Sequence, residues 1–231
     1  MKVVPATRRE TLMLLGAAGA SLAGCGRVQS GESRDATSGG GAGAAGEPQC
    51  VLRPAQTIGP YPNKAELERS DIRAGQEGAL LRLGLRVLAV GACTPVVGAT
   101  VDVWQCNASG NYSEYDAFGT ADQNWLRGFQ LTGEDGSVEF STIYPGWYPG
   151  RTVHIHFRVR TATADFVSQL YFDDALSDEV LQASPYSAHT GVRARNANDG
   201  IFAVGGAELV LNVAAEGAEY RATYDVGLDL G

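Results

Sequence analysis

Between residues 80 and 90 the chain alternates strictly: Leu81, Leu83, Leu85, Val87 and Ala89 fall on one parity, Arg82, Gly84, Arg86 and Leu88 on the other. A period of two gives one apolar face on an extended strand and none on a helix. Ala99, Val101 and Val103 repeat the pattern, and further strands are expected at 137–142, 152–160, 165–172, 207–214 and 219–227, with Gly, Pro, Asn and Asp between them. Only 174–183 reads as a clear helix, with 64–70 as a second, short one. The chain should therefore be all-β, an antiparallel β-sandwich with one or two short helices. Segments 107–130 and 184–202 lack a strand pattern and are too long to be idle connections. Loops of that length build a site or a lid.

One strand carries chemistry. In "YPGWYPGRTVHIHFRV", residues 144–159, Val153, Ile155, Phe157 and Val159 share one face, and His154, His156 and Arg158 the other. Two of the three histidines of the chain thus sit on one face of one strand. Imidazole is the commonest metal ligand, although a polar strand face can also carry histidines without a metal. If the apolar face supplies core, the histidine face lies outside the sandwich packing and must be covered by loops. Tyr148, in the turn before the strand, and Tyr112, in the loop after another strand, are the nearest further donors, among nine tyrosines in all.

The ends of the chain bound its setting. Thr7-Arg8-Arg9-Glu10 precedes an apolar run from Leu12 to Ala23 that is too short for a permanent membrane helix. Residues 1–24 therefore read as an export signal of the twin-arginine type. Leu22-Ala23-Gly24-Cys25 has the form of a lipobox, which would make Cys25 the lipidated first residue of the mature chain. Residues 25–48 are rich in Gly, Ser and Ala and read as a flexible tether, leaving 49–231 as the folded domain. Cleavage before Cys25 removes a net +2 and takes the charge from −8 to −10. So acidic a chain is a poor partner for nucleic acid or anionic lipid. Membrane attachment would then come only through the lipid on Cys25, and the expected location is extracytoplasmic. Of the remaining cysteines, Cys50 and Cys93 lie in turns and are expected to form a disulfide, while Cys106 ends an apolar strand and is expected to be a buried thiol.

Four blocks, "PAQTIGPYP" (54–62), "VVGATVDVWQCNASGNY" (96–112), "DGSVEFSTIYPGWYPGRTVHIHF" (135–157) and "SQLYFDD" (168–174), resemble in order those of the intradiol ring-cleavage dioxygenases. These are the non-haem ferric enzymes typified by catechol and protocatechuate dioxygenases. The resemblance implies Fe(III) as cofactor, O2 and catechols as substrates, and muconate-type diacids as products. It implies Tyr112, Tyr148, His154 and His156 as metal ligands, Arg151 as an active-site arginine and Gln169 as a neighbour of the ligands. Two phenolates are hard anionic donors, which suits Fe(III). In the family the second tyrosine, here Tyr148, leaves the metal and accepts a substrate proton. Gly150 stands where the cytosolic protocatechuate enzymes carry a tryptophan, implying a more open pocket.

Two other readings fit part of the pattern. A non-catalytic β-sandwich module of the transthyretin-like kind would use the Gly, Pro and apolar positions but has no use for His154, His156, Arg151 and Tyr112 together. A zinc or copper protein would use His154 and His156 with a third nitrogen or carboxylate, for which His189 is a candidate, and would leave Tyr112 without a role.

Overall fold

The computed structural model describes residues 50–64 and 66–230. The export signal, Cys25 and the whole of the tether lie outside the described residues. Among the described residues nine strands and one α-helix form, in the order β1 (Leu80–Ala89), β2 (Thr94–Pro95), β3 (Thr100–Trp104), β4 (Arg127–Leu131), β5 (Ser137–Ile143), β6 (His154–Arg160), β7 (Asp165–Tyr171), α1 (Asp174–Val180), β8 (Val213–Glu216) and β9 (Glu219–Leu228). One sheet runs β2-β1-β9-β8 with β5 paired to β1, and the other runs β4-β3-β6-β7.

The two sheets meet through the alternating positions expected of them. Leu81, Leu83, Leu85 and Val87 of β1, Val101 and Val103 of β3, and Ile155, Phe157 and Val159 of β6 are each no more than 1% exposed and belong to one core. Burying each such side chain contributes about 1.5–3 kcal/mol. The outward face of β6 is fixed by the same alternation and carries the histidines.

Four features differ from the sequence expectation. The sandwich is not wholly antiparallel, because β1 and β9 pair in parallel from Leu80↔Glu219 to Ala89↔Leu228. A parallel pair needs a long crossover, and here the whole second sheet intervenes in the chain. Residues 66–70 are extended, not helical: Arg69 N–H and Phe129 N–H bond across to Phe129 O and Leu67 O, drawing this segment onto the edge of β4. β4 itself lies at the end of the stretch read as patternless and runs one residue past it. It carries Gly128 and a fully buried Arg127, whose guanidinium donates to Ser113 Oγ (2.8 Å), Ser113 O (2.8 Å) and Tyr61 O (3.0 Å). Lastly, the strand expected at 207–214 is a 3-10 turn at Gly206–Leu209 followed by β8 four residues later. Leu209 and Leu211 are buried there, but Val210 makes only an isolated bridge with Tyr171 and Leu211 N–H bonds Tyr171 O.

The helix is as expected, though it ends at Val180. Asp173 caps it by accepting from Ala175 N–H (2.8 Å) and Leu176 N–H (3.1 Å). Cys50 and Cys93 are joined, 43 residues apart, and Cys106 is a free, buried thiol. Burial pushes the Cys106 thiol up to about 12, so it stays protonated.

Candidate metal centre

The site is built on the outward face of the second sheet. Strand pairing sets His156 opposite Trp104 of β3 and Gln169 of β7, and His154 opposite Tyr171. Trp104 stacks on His156 with ring planes 4° apart, which holds that imidazole flat. Although they face away from the core, His154 and His156 are 2% and 1% exposed. Loops cover them, as the sequence requires.

Two of those loops bring the tyrosines. Tyr112 lies in the loop after β3, which the Asn107 side chain folds back by accepting from Ser109 N–H (3.1 Å) and Asn111 N–H (3.0 Å). Tyr148 lies in the turn before β6, closed by Arg151 N–H on Tyr148 O (3.2 Å). The two loops touch backbone to backbone at Gly146, where a β-carbon would lie 2.4 Å from Asn107 O and 2.6 Å from Ala108 O. Only glycine permits that approach, and the approach sets the two phenols side by side. A third segment, residues 54–61, lies over the edge of β7. It is stitched there by Gln56 N–H to Val167 O (2.9 Å), Ser168 Oγ–H to Pro54 O (2.7 Å) and Gln169 Nε2–H to Thr57 O (3.0 Å).

Four donor atoms converge. The Nε2 of His154 lies 3.2 Å from Nε2 of His156, 3.1 Å from Tyr148 Oη and 3.5 Å from Tyr112 Oη. His154 Nδ1 sits 2.7 Å from Thr152 O, so the ring donates there and its Nε2 lone pair faces the cluster. His156 Nδ1 is buried without a partner, so nothing in the protein holds its Nε2 out of the cluster. Burial keeps all four groups neutral. It lowers His154 to about 3, with Arg151 adding to the effect, and His156 well below the usual imidazole range, with His154 adding. Likewise it raises Tyr112 well above the usual phenol range and Tyr148 to about 12. Neutral imidazole is the form that ligates metal, and a cation at the convergence reverses the cost of ionising the phenols. Donors about 2 Å from one first-row cation stand about 3 Å from each other. The residues present fit a metal ion with two phenolate and two imidazole ligands.

The third histidine does not join them. His189 stacks on Trp147, with centroids 4.2 Å apart, and among the described residues no group of three or more His, Cys, Asp and Glu is placed to hold a metal. The zinc or copper arrangement built on His189 is therefore not formed among them.

Arg151 reaches the cluster from the side. Its Nη1 lies 3.4 Å from His154 Nε2 and 3.5 Å from Tyr148 Oη, and its Nη2 donates to Gln169 Oε1 at 2.5 Å. All the residues singled out for the centre, Tyr112, Tyr148, Arg151, His154, His156 and Gln169, thus stand together. Tyr171, Gln56 and Asp199 were not anticipated. Tyr171 Oη–H donates to Gln56 Oε1 (2.6 Å) and lies 3.3 Å from Gln169 Oε1. Asp199 takes the Nε–H of Arg151 at 2.9 Å. The parity of β7 places Tyr171 on the face of Gln169, a signal the sequence did contain. Asp199 and Gln56 sit in irregular loops, where no local pattern marks them.

A family model described as "Dioxygenase" matches residues 59–229. A solved structure of an intradiol ring-cleavage dioxygenase from Tetranychus urticae is 31% identical, with a TM-score of 0.73, and the match covers 78% of this chain and 95% of that one. Chlorocatechol 1,2-dioxygenase from Rhodococcus opacus is 36% identical over 103 residues, which are 35% of this chain and 38% of that protein. The protocatechuate 3,4-dioxygenase beta chain from Burkholderia cepacia is 31% identical over 156 residues, 58% of this chain and 63% of that protein. The chain therefore spans less than two thirds of the length of either curated relative.

Proposed function

Because the chain belongs to the intradiol ring-cleavage dioxygenase family, we propose that it cleaves catechol-type aromatic diols with O2 to muconate-type diacids. Tyr112, Tyr148, His154 and His156 would hold a ferric ion. The observation that carries this reading is the convergence of two phenol oxygens, Tyr112 Oη and Tyr148 Oη, and the Nε2 of His156 at 3.1–3.5 Å from His154 Nε2. The ferric ion, when bound, supplies the Lewis acidity and redox character that make a catechol reactive toward O2.

The protein's own part is to position substrate and to manage protons and charge. Tyr148 is partly exposed whereas Tyr112 is fully buried, so Tyr148 is the phenol that an incoming diol can meet. Its oxygen takes up the proton released by a diol hydroxyl. Arg151 Nη1, beside that oxygen, stabilises negative charge developing on the substrate, an effect strongest where water is excluded. Gln169 holds the guanidinium in place. The covering loops exclude bulk water from Tyr112, His154 and His156, which are buried.

The test is O2 uptake by purified, iron-loaded protein with catechol, together with identification of the product. Stoichiometric uptake and a diacid carrying both atoms of labelled O2 are expected. Absence of uptake by iron-loaded protein across simple, halogenated and carboxylated catechols would overturn the reading.

The paired Arg8-Arg9 and the Leu22–Cys25 motif support a further proposal, that the chain acts outside the cytoplasm on a lipid anchor at Cys25. The Cys50–Cys93 link suits an oxidising compartment. Mass spectrometry of the processed protein should find a lipid on Cys25, and an unmodified Cys25 would dismiss the anchor.

A further inference from the structure

The side chain of Asp199 is fully buried, in the long loop after the helix, 48 residues beyond Arg151. Its carboxylate accepts four N–H groups: Arg151 Nε (2.9 Å) and Thr152 N (2.9 Å) on Oδ2, Ile201 N (2.8 Å) and Phe202 N (3.2 Å) on Oδ1. A carboxylate has about four acceptor sites, and all are used. An aspartate that merely capped the turn at 199–202 would need only Oδ1. Here Oδ2 is given to the arginine and to the peptide that follows it.

We propose that Asp199 is the positioning residue for Arg151, pinning the Nε edge of the guanidinium so that Nη1 alone turns toward the donor cluster. A guanidinium is a rigid plane whose donors point in fixed directions. With Nε on Asp199 and Nη2 on Gln169 Oε1, two directions are used and the third follows from them. Arg151 is only 12% exposed at the side chain, so water offers little restraint in place of the carboxylate. The pair is also electrically balanced, and such a buried charge-assisted bond holds geometry more tightly than a neutral one. Burial by itself would raise Asp199, but the Thr152 N–H and the Arg151 charge hold the carboxyl below its usual range, so it is ionised at neutral pH.

This inference rests on the function proposed above, and its test is a double-mutant cycle on iron-loaded full-length protein. Asp199→Asn keeps the shape but offers one acceptor oxygen where two are needed. It should lower kcat about 10- to 100-fold while KM, iron content and the visible absorption band stay at wild-type values. In an Arg151→Ala background the same substitution should change kcat by no more than about a factor of two. An equal loss in both backgrounds, or loss of iron from Asp199→Asn, overturns the proposal. If Asp199→Asn does not fold, Asp199→Ser is carried through the same cycle. Failure of both to fold would assign Asp199 to the fold alone and likewise overturn it. If wild-type protein consumes no O2, it is the proposed function that fails. The clamp is then read by NMR from the Arg151 Nε–H, expected to exchange slowly in wild type and rapidly in Asp199→Asn; equal exchange rates would overturn it.

Discussion

Gly59 lies against His156, and a β-carbon on it would stand 2.9 Å from the imidazole Cε1 and 3.4 Å from Nε2. Its φ of +75° is one that other residues adopt at a cost of about 1–2 kcal/mol. Between this glycine and the stacked Trp104, the His156 ring has little freedom to turn. Gly59→Ala should displace the ring and weaken metal binding by about 10- to 100-fold. Competition against a chelator measures this, and unchanged affinity would show that the segment 54–61 does not orient His156.

The four converging donors make the metal content sensitive to single atoms. Iron-loaded wild-type protein should be red-brown from phenolate-to-Fe(III) charge transfer, and added catechol should shift the band. Tyr112→Phe and His156→Ala should each lose most of the metal and the colour, because each deletes a donor atom. Metal analysis with absorption spectroscopy decides it. A colourless wild type carrying stoichiometric zinc would speak for a different centre.

Arg151 should matter to turnover and not to metal loading. Arg151→Ala is expected to keep iron and colour while kcat falls about 100- to 1,000-fold, the usual cost of one preorganised electrostatic partner. Arg151→Lys should recover only part, since an ammonium cannot engage Asp199, Gln169 and the cluster at fixed angles. Near-normal turnover by the alanine variant would remove Arg151 from the chemistry.

The buried histidines make the iron-free protein acid-sensitive. His154 is lowered to about 3 and His156 well below the usual value, chiefly by burial, whereas both titrate near 6.5 when unfolded. The unfolded chain therefore binds more protons below 6.5. Stability is complete above that pH and falls as the pH drops toward 3, by about 1.4 kcal/mol per unit for each histidine. Urea unfolding between pH 7 and 5 should show a shallower dependence for His156→Ala. Identical slopes for variant and wild type would refute the assignment.

Removing the Cys50–Cys93 link, which closes a separation of 43 residues, should cost about 2–4 kcal/mol. The paired Cys50→Ser, Cys93→Ser variant should show this in chemical denaturation while keeping its metal, because neither cysteine belongs to the donor cluster. A loss of metal in the folded variant would contradict that separation of roles.

The face on which each β6 side chain lies was legible in the sequence, because successive side chains of an extended chain alternate by covalent geometry. Val153 and Ile155 had to oppose His154 and His156 whatever else the chain did. That Tyr148 lies in the turn before this strand and Tyr112 in the loop after another was legible from the turn residues around them, and the resemblance added which of nine tyrosines to watch. What the local pattern does not carry is which distant segments pair. The parallel match of β1 with β9, the strand around Arg127 and the extended backbone at 66–70 all depend on hydrogen bonds between residues far apart in sequence. Arg127 would disqualify its segment as a buried strand on composition alone. It is admitted because Ser113 and Tyr61 satisfy its donors and Glu114 pairs with its charge 3.5 Å away. Asp199 is the same case at the site: an aspartate in an irregular loop has no periodicity to betray it. It reaches Arg151 only because the tertiary fold buries both charges together, where each is stable only with the other.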